Sequence, residues 1–179
     1  AGRRSARAGA SRSGGGGARL RAGAMNDEPL ARLLRRGTLL AINLLFLVVW
    51  GVTGLGKLAG GGTPAWVAEK FGGTLLATFP GLTATWWLLV ASEVAALGLA
   101  LAALVRGEFL ARRPPRWLPA MLVWSLFVFV QLGLGQWLTG EFTAAHQLFM
   151  YFCGTLVALL WVQRDGGPAA GGDGARGRT

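Results

Sequence analysis

Two ionisable residues, Glu93 and Lys57, stand in parts of the chain that are otherwise apolar. Glu93 lies in the middle of the run Leu82–Val105, which contains no other charged residue. Lys57 lies near the end of the preceding apolar run. A charged side chain at the centre of a membrane-spanning helix costs about 2.5–3.5 kcal/mol even on insertion scales. Because such groups are usually retained for a partner or a function, these two are the first candidates for chemistry.

A carboxyl and an ammonium group at these positions suit two different roles. They could form the centre of a site for a quinone, a proton or a small anion. Alternatively, a buried pair of Lys57 and Glu93 could serve only to fix the register of two helices. An ionisable residue inside the membrane is, by default, a candidate for a functional site. The sequence therefore favours the functional interpretation and leaves the structural one open.

Two further polar residues, Gln131 and His146, are expected in the same half of the membrane. With a rise of 1.5 Å per residue, Glu93 lies about 13 Å from the outer end of its span, Gln131 about 10 Å and His146 about 6–8 Å. Lys57 lies at the outer boundary, and its stem can reach inward or outward. These four residues are the candidates for a buried polar site. The simpler alternative is an interhelical hydrogen bond for Gln131 and an interfacial one for His146.

The chain contains one histidine and one cysteine, which limits the cofactors that it can hold alone. Because His146 is the only histidine of the sequence, this chain alone cannot form a bis-histidine haem site or a multi-histidine metal site. Cys153 by itself excludes a CxxC redox centre. We therefore predict no metal site and no covalently bound cofactor, and quinone is a candidate ligand. The sequence assigns no catalytic residue.

Four long apolar segments must position these residues. The chain is 53% hydrophobic, which is typical of an integral membrane protein when the apolar residues form long runs. A spanning helix needs about 20 such residues. We predict an all-α membrane protein, a bundle of four transmembrane helices with a short interfacial helix between spans one and two. The predicted spans are 38–58, 85–105, 117–138 and 142–162.

Low-complexity segments flank the predicted membrane domain, which covers residues 25–164. Residues 1–24 are rich in Arg and Gly and lack acidic groups, so we predict a disordered extension. Their composition resembles a transit peptide, but we favour Met25 as the natural start. Residues 165–179 are predicted to be a disordered tail.

The net charge of +10 reflects membrane topology and not nucleic-acid binding. Much of it lies in residues 1–24, and no basic face is interleaved with aromatic residues. The remaining Arg residues precede span one, fill the 106–116 connection and follow span four. The positive-inside rule then places both termini in the cytoplasm, in a bacterial inner membrane.

Four stretches resemble the DoxX/DoxD-like membrane family: LFLVVWGVTGLGKLAGG in span one, the FPGL turn, LLVASEVAALGLALAAL in span two and EFTAAHQLFMYFCGTLVALLWV in span four. The resemblance covers residues 38–162 and matches at Gly54, Lys57 and Glu93. It implies a four-span bundle. Some members are small subunits of thiosulfate:quinone oxidoreductase, and others are linked to redox or detoxification complexes.

Small residues predict where the helices approach each other. Ser92, Ala96 and Ala100 recur every four residues beside Glu93, a spacing that permits close packing. Gly54 is expected to pack in the same way on span one.

Three functions are consistent with this sequence. The first is an accessory subunit of a quinone-linked membrane redox complex, with a buried polar site around Glu93. The second is a structural or assembly subunit without a ligand of its own. The third, a small-solute transporter, is less favoured because the sequence shows no inverted repeat. The expected partners are the lipid bilayer and another membrane or redox protein or a second copy of the chain, and no nucleic acid.

Overall fold

A computed structural model describes residues 15–110 and 115–164, with side chains described from residue 28 onward. The described residues form helices and no strands, which confirms the all-α class. The chain divides into two compact units, Ala1–Arg36 and Gly37–Thr179. The helices are α1 (Gly15–Ala59), α2 (Ala65–Phe71), α3 (Leu75–Thr78), α4 (Leu82–Val105), α5 (Trp117–Leu138) and α6 (Phe142–Arg164).

Within the described ranges, four helical segments are long and apolar enough to cross a membrane. They are Glu28–Ala59, Leu82–Val105, Trp117–Leu138 and Phe142–Arg164. The length and composition of these helices confirm the prediction of a multi-pass helical membrane protein. The third segment has the predicted bounds. The second begins at Leu82 instead of residue 85, and the fourth ends at Arg164 instead of residue 162.

Helix α1 begins well before the predicted first span. Its backbone is already helical at residues 15–24, for which the sequence analysis expected disorder. Ala, Leu and Arg, which are good helix formers, occupy much of that segment. An ion pair between Arg32 and Glu28, one helical turn apart, stabilises the helix further along. Residues 1–14 and the predicted tail 165–179 lie outside the described residues, as does part of the basic 106–116 connection.

The core of the second unit lies between α1, α4, α5 and α6. Trp50 of α1 is 1% exposed and packs against Phe129 of α5, with ring centroids 5.2 Å apart. Its indole nitrogen donates to the Ser125 hydroxyl at 2.9 Å. Ala96 and Ala100 of α4 are completely buried in the same core. The small residues of α4 therefore face its neighbours.

The buried amide of Asn43 is satisfied across helices. Asn43 of α1 is 3% exposed. In the amide orientation that satisfies both of its polar atoms, its nitrogen donates to the Ala100 carbonyl at 3.1 Å and its oxygen accepts from the Leu104 amide at 3.2 Å. Burial of a side-chain amide is tolerated only when such partners exist.

The segment between α1 and α4 contains α2 and α3. Helix α2 begins at Ala65 with Pro64 as its N-cap, and it ends at Phe71 with Gly72 as its C-cap. A Cβ atom added at Gly72 would lie 2.5 Å from the Ala68 carbonyl oxygen, so only glycine fits that helix end. Val67 of α2 packs against Trp86 and Val90 of α4. This contact holds the short helix over the bundle.

Glu108 links the end of α4 to the start of α5. Its Oε1 accepts from the backbone amides of Arg116 and Trp117 at 2.8 Å, and its Oε2 accepts from that of Leu118 at 2.9 Å. A helix begins with unpaired amides, and a carboxylate also complements its dipole. Glu108 therefore caps α5 from a distance of eight to ten residues in sequence.

Candidate functional site

An ion pair between Lys57 and Glu93 joins α1 to α4. The Lys57 ammonium lies 2.5 Å from Oε1 and 2.7 Å from Oε2 of Glu93. The Glu93 side chain is 0% exposed and that of Lys57 is 23% exposed. A single ammonium thus satisfies both carboxylate oxygens, which is the geometry that a buried charge requires.

Gly54 allows α1 to come close enough to α4 for this pair to form. A Cβ atom added at Gly54 would lie 3.3 Å from the Cβ of Glu93 and 3.4 Å from the backbone nitrogen of Val94. Gly54 precedes Lys57 by three residues, so both lie on one face of α1. Gly54 allows the two helices to approach closely, and this approach brings Lys57 within reach of Glu93.

Ser92, directly before Glu93, joins α4 to α5. Its hydroxyl accepts a hydrogen bond from the Gln131 amide at 3.3 Å. Its backbone carbonyl accepts one from the indole nitrogen of Trp124 at 2.9 Å. Ser92 therefore binds α5 and the adjacent Glu93 binds α1. Gln131 lies at about the same height in the bundle as Glu93.

A cavity of about 270 Å³ opens next to this junction. Residues from all helices except α6 contribute to its wall. The walls are mostly apolar and include the aromatic rings of Trp66, Phe71 and Trp86. The polar side chains that line it are Lys57, Lys70, Thr85, Gln131 and Gln136. An apolar cavity with a few polar groups is the usual form of a small-molecule site.

Glu93 does not line this cavity. The sequence analysis placed Glu93 at the centre of the site, but the structure places Lys57 on the wall and Glu93 in the helix contact behind it. The reason is the small-residue packing of α1 on α4, which encloses the carboxylate completely. Any influence of Glu93 on the cavity therefore acts through Lys57.

A second polar cluster lines the cavity further along α5. Lys70 of α2 donates to the side-chain oxygen of Gln136 at 3.1 Å and lies 3.8 Å from a carboxylate oxygen of Glu141. Gln136 follows Gln131 by five residues, which is about 7.5 Å along the helix axis. The cavity thus has polar groups at two levels, separated by apolar surface.

Trp86 contributes a different kind of polar group. It is 6% exposed and lies edge-on to Trp66, with ring centroids 5.8 Å apart and planes at 85°. Its indole nitrogen is buried and has no hydrogen-bond acceptor among the described residues. The Trp86 ring therefore lines the cavity, whereas its indole nitrogen is enclosed by protein.

His146 does not join the other three candidates. Its side chain is exposed on α6, beside the buried Ala145, and it does not line the cavity. Successive residues of a helix point about 100° apart, so burial of Ala145 leaves His146 directed outward. Lys57, Glu93 and Gln131 are brought together, and His146 is not.

The lining residues that were not candidates in the sequence analysis include Trp66, Lys70, Trp86 and Gln136. The two tryptophans fit an interfacial aromatic belt, and Lys70 fits an outer loop, so their sequence context pointed elsewhere. One usable signal was the four-residue spacing of Trp66 and Lys70, which puts both on one face of α2.

No group of three or more His, Cys, Asp and Glu side chains that could hold a metal ion occurs in the described ranges. Comparison with protein-family models, with curated proteins and with solved structures found no match to the chain. The resemblance to the DoxX/DoxD-like family therefore stays a prediction from the quoted motifs.

Proposed function

We propose that the chain is an accessory subunit of a quinone-linked redox complex in a bacterial cytoplasmic membrane, and that its cavity binds the quinone headgroup. The observation that carries the proposal is an apolar cavity of about 270 Å³ with hydrogen-bond donors at two levels. A cavity of about 150 Å³ accommodates benzene. Sites for drug-sized ligands are about 300–1,000 Å³. The size therefore suits one substituted ring whose tail extends into lipid.

The donors of the cavity complement the carbonyl oxygens of a quinone. A lysine ammonium has three protons, and the contacts of Lys57 with Glu93 occupy two. The third is available to a ligand. Gln136 accepts from Lys70 through its oxygen, which leaves its amide nitrogen free to donate. A quinone ring has hydrogen-bond acceptors and no donors, so its carbonyl oxygens complement the donors of Lys57 and Gln136.

The charge of the lining suits a neutral headgroup. The ammonium groups of Lys57 and Lys70 each have a carboxylate within 4 Å, at 2.5 Å and 3.8 Å. An anionic ligand would have to compete with those carboxylates. A neutral ligand can instead accept hydrogen bonds while both ion pairs persist.

An accessory role follows from the redox chemistry that the complex would need. Reduction of a quinone to a quinol takes two electrons and two protons. With one His and one Cys, the chain lacks the side chains for an iron–sulfur cluster or a bis-histidine haem of its own. A partner protein would supply the electrons, and this chain would hold the ring.

The proposed orientation puts both termini in the cytoplasm and the cavity towards the outer side. The supporting observation is the bias of Arg towards the two ends of the helical domain and the 106–116 connection. Helices α2 and α3 then lie in the outer interface, where Trp66 and Phe79 are exposed. Amphipathic rings such as that of Trp66 favour this region.

Quinone binding by the purified chain tests the proposal. We expect a short-chain quinone to bind the protein in lipid nanodiscs and Gln136→Leu to weaken binding about threefold to tenfold, the range for one hydrogen bond. The matched control is Gln147→Leu, since Gln147 is exposed on α6. Absence of quinone binding by the unaltered protein would refute the function.

A structural or assembly role is the second candidate, favoured by one observation. The Glu93 carboxylate is closed off from the cavity and fully paired, as expected for a group that fixes helix register. In that case a partner membrane protein should co-purify in mild detergent. Added quinone should then leave unchanged the amount of partner that co-purifies with the double variant Lys57→Met, Glu93→Leu.

A further inference from the structure

Helix α2 is attached to α5 along one side of the cavity. Lys70 of α2 donates to the side-chain oxygen of Gln136 at 3.1 Å and lies 3.8 Å from a carboxylate oxygen of Glu141. Phe71, the next residue, packs against α5 at Gly135, where an added Cβ atom would lie 3.5 Å from the Phe71 ring. A polar and an apolar contact therefore close the cavity on the side of α2.

Two lining residues of the spanning helices are exposed on the bundle surface. Leu88 of α4 is 58% exposed and Leu134 of α5 is 53% exposed. Leu88 lies about 9 Å along the axis from the start of α4 at Leu82, and Leu134 about 6 Å from the end of α5 at Leu138. Because both positions belong to membrane-spanning segments, their exposed surfaces face lipid. Residues that line a cavity and are also exposed form its rim, so the cavity has a rim on the lipid-facing surface of α4 and α5.

The polar and apolar parts of the lining differ in exposure. The polar side chains Lys57, Gln131 and Gln136 are half-buried, whereas Leu88 and Leu134 at the rim are exposed and apolar. A polar solute would lose its hydration at such a rim before it reached any partner, which is costly. A molecule dissolved in the bilayer can instead place its polar end among the inner side chains and leave its apolar part at the rim.

We propose that Leu88 and Leu134 flank a lateral mouth through which the cavity takes its ligand from the bilayer. The ligand class is a membrane-dissolved molecule with a neutral, carbonyl-bearing ring and an apolar tail. The ring enters between α4 and α5, and the tail stays between the two leucines. This inference deepens the proposed function and rests on it, because it takes the cavity as the quinone site.

Photochemical cross-linking locates the path of the tail. The probe is a fully substituted benzoquinone whose decyl tail carries a diazirine on the carbon nearest the ring, added to the protein in nanodiscs. After illumination, mass spectrometry should find adducts at Leu88 and Leu134 that an excess of the unlabelled quinone suppresses. Val130 is the internal control, since it is equally lipid-exposed on α5 and does not line the cavity. Adducts at Val130 report random labelling from the lipid and should not be suppressed.

The opposite result has a defined location in the structure. Trp66 and Pro80 also line the cavity and are exposed, and they belong to the segment that joins α1 to α4. A tail that left the cavity past this segment would give suppressible adducts at Trp66 or Pro80 and none at Leu88 or Leu134. That pattern would overturn the lateral mouth.

A bulky side chain at the rim provides the second test. Leu134→Trp should obstruct the mouth and weaken the binding of decyl-substituted benzoquinone by about fivefold or more, as overpacking of an occupied site does. The matched control is Val130→Trp, one helical turn away on the same face of α5, which should keep the affinity of the unaltered protein. Both side chains are exposed, so both variants should retain the thermal stability of the unaltered protein. Isothermal titration in nanodiscs measures the affinities.

The outcomes distinguish this inference from the proposed function. Equal quinone affinities of Leu134→Trp and Val130→Trp would overturn only the lateral mouth, as would suppressible adducts confined to Trp66 and Pro80. Failure of the unaltered protein to bind quinone would overturn the proposed function together with this inference.

Discussion

Lys57 contacts both carboxylate oxygens of Glu93, at 2.5 and 2.7 Å, and of the two residues only Lys57 lines the cavity. The pair therefore has a structural side, the contact between α1 and α4, and a side that faces the cavity. Substitutions at the two positions should separate these roles. Loss of the Glu93 carboxylate leaves the Lys57 ammonium group without its ion-pair partner. Loss of the ammonium group breaks the same ion pair and also removes a polar group from the cavity wall.

A double-mutant cycle should show strong coupling between Lys57 and Glu93. Removal of one member of a buried pair typically costs about 3–5 kcal/mol, and replacement of both can be nearly neutral. We expect Lys57→Met and Glu93→Leu to lower thermal stability in detergent separately and the double variant to recover most of the loss. The control cycle, Lys70→Met with Glu141→Gln, involves a partly exposed pair at 3.8 Å and should couple by less than about 1 kcal/mol. Additive losses at Lys57 and Glu93 would contradict the buried pair.

Gly54→Ala should destabilise the contact between α1 and α4. The added Cβ would lie 3.3 Å from the Glu93 Cβ and 3.4 Å from backbone atoms, which cannot rotate away. Overpacking of this kind costs about 1–3 kcal/mol. Gly56→Ala is the matched control, since nothing lies within 4 Å of its Cβ position. There the gain in helix propensity should stabilise by about 0.5–1 kcal/mol. Equal thermal shifts in the two variants would refute the close approach at Gly54.

The pattern of residues was sufficient to predict the helices and insufficient to predict the cavity. Long apolar runs specify spanning helices because their length and composition are local properties. The wall of the cavity comes from residues of α1, α2, α3, α4 and α5, many of them far apart in sequence. Trp86 illustrates the difference, because its position near a span end predicted an interfacial role. Only its burial and its place on the cavity wall, both tertiary properties, distinguish it from an interfacial tryptophan.

Glu108→Ala should destabilise the start of α5. The carboxylate accepts from three backbone amides, and loss of a helix cap costs about 0.5–2 kcal/mol. Glu108→Gln should cost less because one amide oxygen still accepts. The control is Glu69→Ala, at an exposed position of α2. Hydrogen exchange should increase at the amides of Trp117 and Leu118 in Glu108→Ala alone. Unchanged protection there would exclude capping by Glu108.

Cysteine labelling should locate α2 outside the cell and the turn after α4 inside it. In a Cys153→Ala background, Gly73→Cys adds a thiol where nothing lies within 4 Å of the Cβ position, and Leu110→Cys replaces an exposed side chain. The positive-inside rule predicts that a membrane-impermeant maleimide labels Gly73→Cys in intact cells, and Leu110→Cys only after permeabilisation. Permeabilised cells are the control for reactivity at both positions. Labelling of Leu110→Cys in intact cells, with none at Gly73→Cys, would invert the orientation and place the cavity towards the cytoplasm.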